Sequence, residues 1–144
     1  MTTLEQPLRP TRGPSPSGEA YYEAGKEAEQ AGDLDSALES YQNAARKEFY
    51  KSYNSLGTFA LGKGGQPKDP KKAEDYFNAG AKAGHAPAMF NLARMHEKGD
   101  TETRTTDLST ALFWYNKASE ADPKEPRYQS KVTTLTETLG MSRK

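Results

Sequence analysis

The sequence contains no cysteine, so neither a disulfide framework nor thiolate chemistry is available to it. No apolar run approaches the length of about 18 residues that a membrane-spanning helix requires. The first residues also lack the apolar core of a secretory signal peptide. These absences lead us to expect a soluble protein of the cytoplasm that has no membrane partner.

An excess of either charge is also missing. The 20 basic and 20 acidic side chains cancel to a formal net charge of zero. Nucleic-acid-binding domains normally carry a basic surface, which this balance does not supply. Nucleic acid is therefore not an expected partner.

Residues suited to catalysis or metal binding are scarce. His85 and His96 stand eleven residues apart with no carboxylate pair at ligand spacing. We expect His85 at a helix terminus and His96 packed in a seam between helices. The glycine-rich residues 62–65 lack the spacing of a phosphate-binding loop and follow a helical pattern, whereas such loops follow a strand. The sequence therefore predicts no enzyme activity, no metal site and no cofactor.

What the chain does have is helical periodicity. Hydrophobic residues make up only 33% of the chain and the mean hydropathy is −0.98, but they recur every three or four residues, as one apolar stripe of a helix does. Breaks with helix-capping residues separate these stretches, for example Gly32 followed by Asp33, and Asp69 followed by Pro70. Short breaks of this kind predict antiparallel helical hairpins.

The helical pattern repeats along the chain. Ala37, Ala73 and Ala111 are spaced 36 and 38 residues apart, and aromatic residues follow each of them one turn later. A small residue lets the two helices of a hairpin touch, and we expect the aromatic residue to pack onto the following hairpin. The repeat predicts one domain over residues 17–140, with hairpins at about 18–48, 49–84 and 85–122 and a capping helix at about 126–139.

The first residues follow no such pattern. Residues 1–16 contain Pro7, Pro10, Pro14 and Pro16, which are incompatible with a continuous helix. We expect a disordered, proline-rich tail here.

The repeat resembles the tetratricopeptide superfamily, and its later two hairpins resemble the Sel-one-like branch. The second half of the Sel-one-like pattern, A-x-x-W-Y-x-K-A, is matched completely by Ala111, Trp114, Tyr115, Lys117 and Ala118. This resemblance implies an all-α fold, a right-handed α-α solenoid of three helical hairpins plus a C-terminal capping helix. It covers about residues 18–123.

The resemblance also implies that the first helix of each hairpin lines a concave groove that binds a protein or peptide. Aromatic rings beside Lys26 and Arg94 could bury an apolar side chain and hold an acidic group nearby. The groove residues that the resemblance implies are Tyr22, Lys26, Asn54, Thr58, Phe90 and Arg94. We expect these residues to face outward, whereas Phe77, Met89 and Leu92 should be buried.

Two alternatives to this groove remain open. The groove residues could be merely the solvated side of three amphipathic helices. The chain could also be a structural or self-assembling subunit that uses the apolar stripe from Tyr128 to Leu139. The carboxylate clamp of some tetratricopeptide proteins is incomplete here, with Ser55, Pro87 and Asn91 at three of its positions. The patterns favour an adaptor or scaffold that is a monomer, and they leave its oligomeric state open.

Overall fold

A computed structural model of the protein describes residues 15–141. Within this range the chain is all-helical and contains no strand. The predicted proline-rich tail, residues 1–16, lies outside the described residues except for its last two. The elements in chain order are α1 (Gly18–Gln30), α2 (Leu34–Arg46), α3 (Lys51–Ala60), a 3₁₀ turn (Lys63–Gly65), α4 (Pro70–Lys82), α5 (Ala86–Lys98), α6 (Leu108–Ala121) and α7 (Pro126–Thr138).

Short polar side chains fix where several of these helices begin. Asp33, Asp69 and Asp107 each accept a hydrogen bond from the backbone N–H three residues later, at 3.0 to 3.1 Å. Ser17 does the same for α1 at 3.0 Å. Each cap satisfies a backbone donor that has no partner inside the helix. The capping residues that the sequence suggested for α2 and α4 are confirmed.

The helices pair in chain order. Helices α1 and α2, α3 and α4, and α5 and α6 form three hairpins, and the second helix of each also packs on the helix that follows it. The chain is therefore an α-α solenoid, which confirms the predicted fold class. None of the helices within residues 15–141 has the length and apolar character needed to cross a membrane.

Inside each hairpin, an aromatic ring of the second helix lies over a small residue of the first. A Cβ atom added to Gly25 would lie 2.6 Å from Cε1 of Tyr41, and one added to Gly57 would lie 2.4 Å from Cε1 of Phe77. Real side chains do not approach so closely, so only glycine fits beneath these two rings. In the third hairpin, Ala93 belongs to the same buried cluster as Tyr115.

In the first hairpin this ring is tied to a carboxylate. The hydroxyl of Tyr41 donates a hydrogen bond to Oε1 of Glu29 at 2.6 Å. Lys63, which follows α3, forms a salt bridge with the other oxygen of Glu29. The network therefore joins both helices of the first hairpin to the loop between the two helices of the second.

The third hairpin repeats the arrangement. Tyr115 donates to Oε1 of Glu97 at 2.5 Å, and Nζ of Lys131 on α7 lies 3.2 Å from the same oxygen. Desolvation alone would raise the pKa of Glu97, but the hydrogen bonds from Tyr115 and Lys131 outweigh it and hold the pKa below the ordinary value of 4.5. Glu97 is therefore ionised at neutral pH and ties α5 and α6 to α7.

In the middle hairpin, apolar residues occupy the positions of both the glutamate and the tyrosine. Glu29 and Glu97 lie four residues after Gly25 and Ala93, and the residue four after Gly57 is Leu61. Its ring is Phe77, which has no hydroxyl, and Leu61 packs on the buried cluster that contains Phe77. This seam is therefore apolar where the other two are polar.

We predict that Tyr115→Phe lowers the free energy of unfolding by about 2 kcal/mol at pH 7, the usual loss for a hydrogen bond to a charged group. Urea unfolding followed by circular dichroism measures this loss. Because the folded state depresses the pKa of Glu97, its contribution to stability is present above pH 4.5 and disappears as the pH falls through the folded pKa. The loss should therefore shrink in acid.

The reciprocal change, Phe77→Tyr, is the matched control. It places a buried hydroxyl beside Leu61, which offers no acceptor, and should cost about 1 to 3 kcal/mol. Adding Leu61→Glu to Phe77→Tyr should restore part of that stability. If neither Tyr115→Phe nor Phe77→Tyr changes the free energy of unfolding, the hydroxyl–carboxylate pairs do not stabilise the seams.

Candidate functional site

The predicted groove residues lie on the first helices of the hairpins, and we call the surface that these helices and α7 present the first-helix face. Nδ2 of Asn91 on α5 donates a hydrogen bond to Oδ1 of Asn54 on α3 at 2.8 Å. Lys131 and Glu97 connect α7 to α5 in the same way. These cross-helix contacts hold the side chains of neighbouring hairpins in a fixed relation.

At the α1 end of this face, Tyr22 and Lys26 lie together. Nζ of Lys26 lies 5.5 Å from the centre of the Tyr22 ring, within the range of a cation–π contact. The ring of Tyr22 in turn rests against Tyr41 and Phe49, with centroids 5.7 and 5.4 Å away. Burial is the main cause of the raised pKa of Tyr22. The pair therefore presents a half-buried ring with a cation above it.

In the middle of the face, Asn54 and Thr58 are half-buried and already hydrogen-bonded. Asn54 accepts from Asn91, and the hydroxyl of Thr58 donates to the carbonyl oxygen of Ser55 at 2.7 Å. These hydrogen bonds fix both side chains at the surface of α3.

Phe90 and Arg94 lie at the α5 end, and the structure divides their roles. Arg94 is exposed, whereas Phe90 is half-buried. The Phe90 ring packs against Tyr115 and Tyr128, with centroids 5.4 and 5.2 Å away. Phe90 therefore belongs partly to the seam with α6 and α7, a contact that the sequence analysis did not anticipate. The expected burial of Phe77, Met89 and Leu92 is confirmed.

Helix α7 adds functional candidates that the sequence analysis missed. The guanidinium carbon of Arg127 lies 5.6 Å from the centre of the Phe90 ring. A recess of about 360 Å³, which we call the α5–α7 recess, opens beside it. Its lining residues are Phe90, Pro126, Arg127, Ser130 and Lys131. The sequence analysis interpreted the segment of α7 only as a capping helix. Arg127 and Lys131 stand one helical turn apart in the sequence, and this spacing could have indicated a basic edge.

The two histidines take structural positions, as predicted. His85 is the N-cap residue of α5 and packs against the edge of Tyr50, with ring centroids 5.4 Å apart. Burial, and secondarily the charge of Lys51, lower the pKa of His85 to about 4. His96 is largely covered, and its Nε2 lies 3.7 Å from an oxygen of Glu74. Residues 15–141 contain no group of three or more side chains that could hold a metal ion.

Comparison with known proteins identifies the repeat. Residues 51–85 and 86–123, about half of the chain, match the Sel1 repeat. The chain belongs to the Sel1 repeat family. The Sel-one-like resemblance of the second and third hairpins is thereby confirmed. Sel1 repeats are generally scaffolds for protein interaction. No curated protein matches the sequence.

A solved structure confirms the fold of this Sel1 repeat protein over most of its length. It is similar to the crystal structure of a Sel1 repeat protein from Oxalobacter formigenes, with a TM-score of 0.75 and 22% sequence identity. The match covers 88% of this chain and 51% of that one, so this chain spans about half the length of that protein. At this level of identity the likeness shows the fold alone.

The position of His85 predicts a pH-dependent stability. Its folded pKa of about 4 lies below the ordinary value of 6.5, so the unfolded chain binds a proton in this interval and the folded one does not. Stability should therefore fall by about 1 to 2 kcal/mol between pH 7 and pH 5. Urea unfolding at both pH values measures the change.

His85→Gln should remove this pH dependence, because glutamine does not titrate. Lys51→Gln removes the smaller of the two causes of the low pKa of His85. The loss of stability between pH 7 and pH 5 should therefore be smaller in this variant than in the wild type. An unchanged slope in His85→Gln would assign the pH dependence to other groups.

Proposed function

We propose that the protein is an adaptor that binds a protein or peptide segment along the first-helix face. The observation that carries this proposal is an alternation of side chains at equivalent positions of three helices. The residues three before and one after the small seam residue are Tyr22 and Lys26 on α1, and Phe90 and Arg94 on α5. On α3 the same positions hold Asn54 and Thr58.

This arrangement suits a bound segment. Half-buried aromatic rings offer contact area at little cost in side-chain entropy, and the cations above them can pair with acidic groups. The central amide and hydroxyl can hydrogen-bond to a peptide backbone. The scaffold role of Sel1 repeats in general agrees with a binding protein that has no catalytic role. We place this adaptor in the cytoplasm as part of the same proposal.

Self-assembly through the terminal helix has less support. Tyr128 and Leu135, the buried apolar residues of α7, are packed in clusters with residues of α5 and α6. Val132 and Leu139 pack on the second of these clusters. The apolar stripe proposed for assembly is therefore used to close the stack, which agrees with a monomeric adaptor.

Reversing two charges on the first-helix face tests the proposal. We expect Lys26→Glu combined with Arg94→Glu to weaken partner binding at least tenfold, because each change places a carboxylate beside an aromatic contact surface. Partners are captured from a lysate with the wild-type chain and identified by mass spectrometry. The affinity of each purified partner for the wild type and the variant is then measured by calorimetry.

Lys71→Glu combined with Lys117→Glu is the matched control. It makes the same change of net charge on the second helices α4 and α6, and both lysines are exposed. The control should bind within about twofold of the wild type. If both double variants bind equally well while their circular dichroism is unchanged, the first-helix face is not the binding surface.

A further inference from the structure

We propose that the α5–α7 recess binds an acidic peptide segment, with a carboxylate held between Arg94 and Arg127 and a neighbouring apolar side chain against Phe90. This inference rests on the proposed adaptor function and specifies the chemistry of the partner. The carboxylate can be a glutamate or aspartate side chain or the C-terminus of the peptide.

Two arginines from different helices converge on one ring. The guanidinium carbons of Arg94 and Arg127 lie 5.8 and 5.6 Å from the centre of Phe90. Both arginine side chains are exposed, Arg127 to 68%. They can therefore turn towards a ligand without breaking a buried contact. A planar guanidinium offers two parallel N–H donors to a carboxylate, which favours this ligand over other polar groups.

A third cation borders the same place. Nζ of Lys131 lies 5.7 Å from the centre of the Tyr115 ring, and that ring is 5.4 Å from Phe90. The convergence therefore places three positive charges around one aromatic pair.

The carboxylates of the protein do not balance these charges. Glu125 pairs with Arg127 at 3.0 Å, and Glu97 pairs with Lys131 at 3.2 Å. Within residues 15–141 no carboxylate forms a salt bridge with Arg94. The positive charge of Arg94, which is not among the lining residues of the recess but lies beside the Phe90 ring, is thus left over, and an added carboxylate would neutralise it.

The recess also has room for an apolar group. Its volume of about 360 Å³ is more than one leucine side chain fills, and its walls include Phe90 and Pro126, so an apolar side chain and part of the neighbouring residue have space there. Exposed charge pairs are individually weak, so the apolar contact must supply part of the affinity. A segment that carries leucine next to glutamate meets both requirements.

The test measures binding of a ten-residue peptide of leucine and glutamate by fluorescence anisotropy, using the full chain and a dansyl label, which carries no carboxylate of its own. A version with glutamine in place of glutamate and an amidated C-terminus lacks every carboxylate. Two further versions carry only the side-chain carboxylates or only the terminal one, and they distinguish the two sources. We expect binding of the acidic peptide that weakens with added salt, and at least tenfold weaker binding of the carboxylate-free version.

Arg94→Gln combined with Arg127→Gln should weaken binding of the acidic peptide at least tenfold. The matched control is Lys71→Gln combined with Lys117→Gln, which also removes two exposed positive charges but on the second helices α4 and α6. Lys117 lies 5.5 Å from the ring centre of exposed Phe113, so it too is a cation beside a ring. This double variant should bind within twofold of the wild type.

Three results would overturn the inference. These are equal binding of the carboxylate-free peptide, wild-type affinity in the double arginine variant, and equally tight binding of a ten-nucleotide oligouridylate. Each is distinguishable from failure of the adaptor proposal. If Lys26→Glu combined with Arg94→Glu still abolishes binding of a captured protein, the first-helix face is the binding surface. In that case only the proposed preference for an acidic peptide is wrong.

Discussion

The stack depends on one contact, an aromatic ring of the second helix lying over a small residue of the first. Gly25 with Tyr41 and Gly57 with Phe77 leave no space for a Cβ atom between the helices. This close approach fixes the rotation of each first helix about its own axis. It thereby decides which side chains enter the seam and which reach the first-helix face.

A division of labour follows from that fixed rotation. The position four residues after the small residue enters the seam, where Glu29 and Glu97 meet tyrosine hydroxyls and Leu61 joins an apolar cluster. The positions three before and one after reach the surface, where Tyr22 and Lys26 lie together. Stability and the proposed binding therefore draw mainly on different residues of the same helix, and Phe90, which packs on Tyr115 and Tyr128, contributes to both.

The sequence was sufficient for the fold because its determinants are local. Small residues, aromatic residues and capping aspartates recur at nearly constant spacing, and this regularity predicts hairpins that stack on their neighbours. The half-burial of Phe90 depends in part on Tyr128, which lies about one full hairpin later in the chain. No local period encodes that contact. The candidate site was therefore predicted on α1, α3 and α5, and its α7 side was missed.

The same helix closes the stack and completes the recess, and these two roles support each other. Tyr128 and Leu135 hold α7 against the third hairpin, and the opposite side of the helix is consequently polar. Arg127 and Lys131 lie on the edge between these sides, where they meet the rings of Phe90 and Tyr115. A further hairpin packed at this end would have to accommodate these cations. Helix α7 thus adds two cations to the edge of the first-helix face, next to the rings of Phe90 and Tyr115.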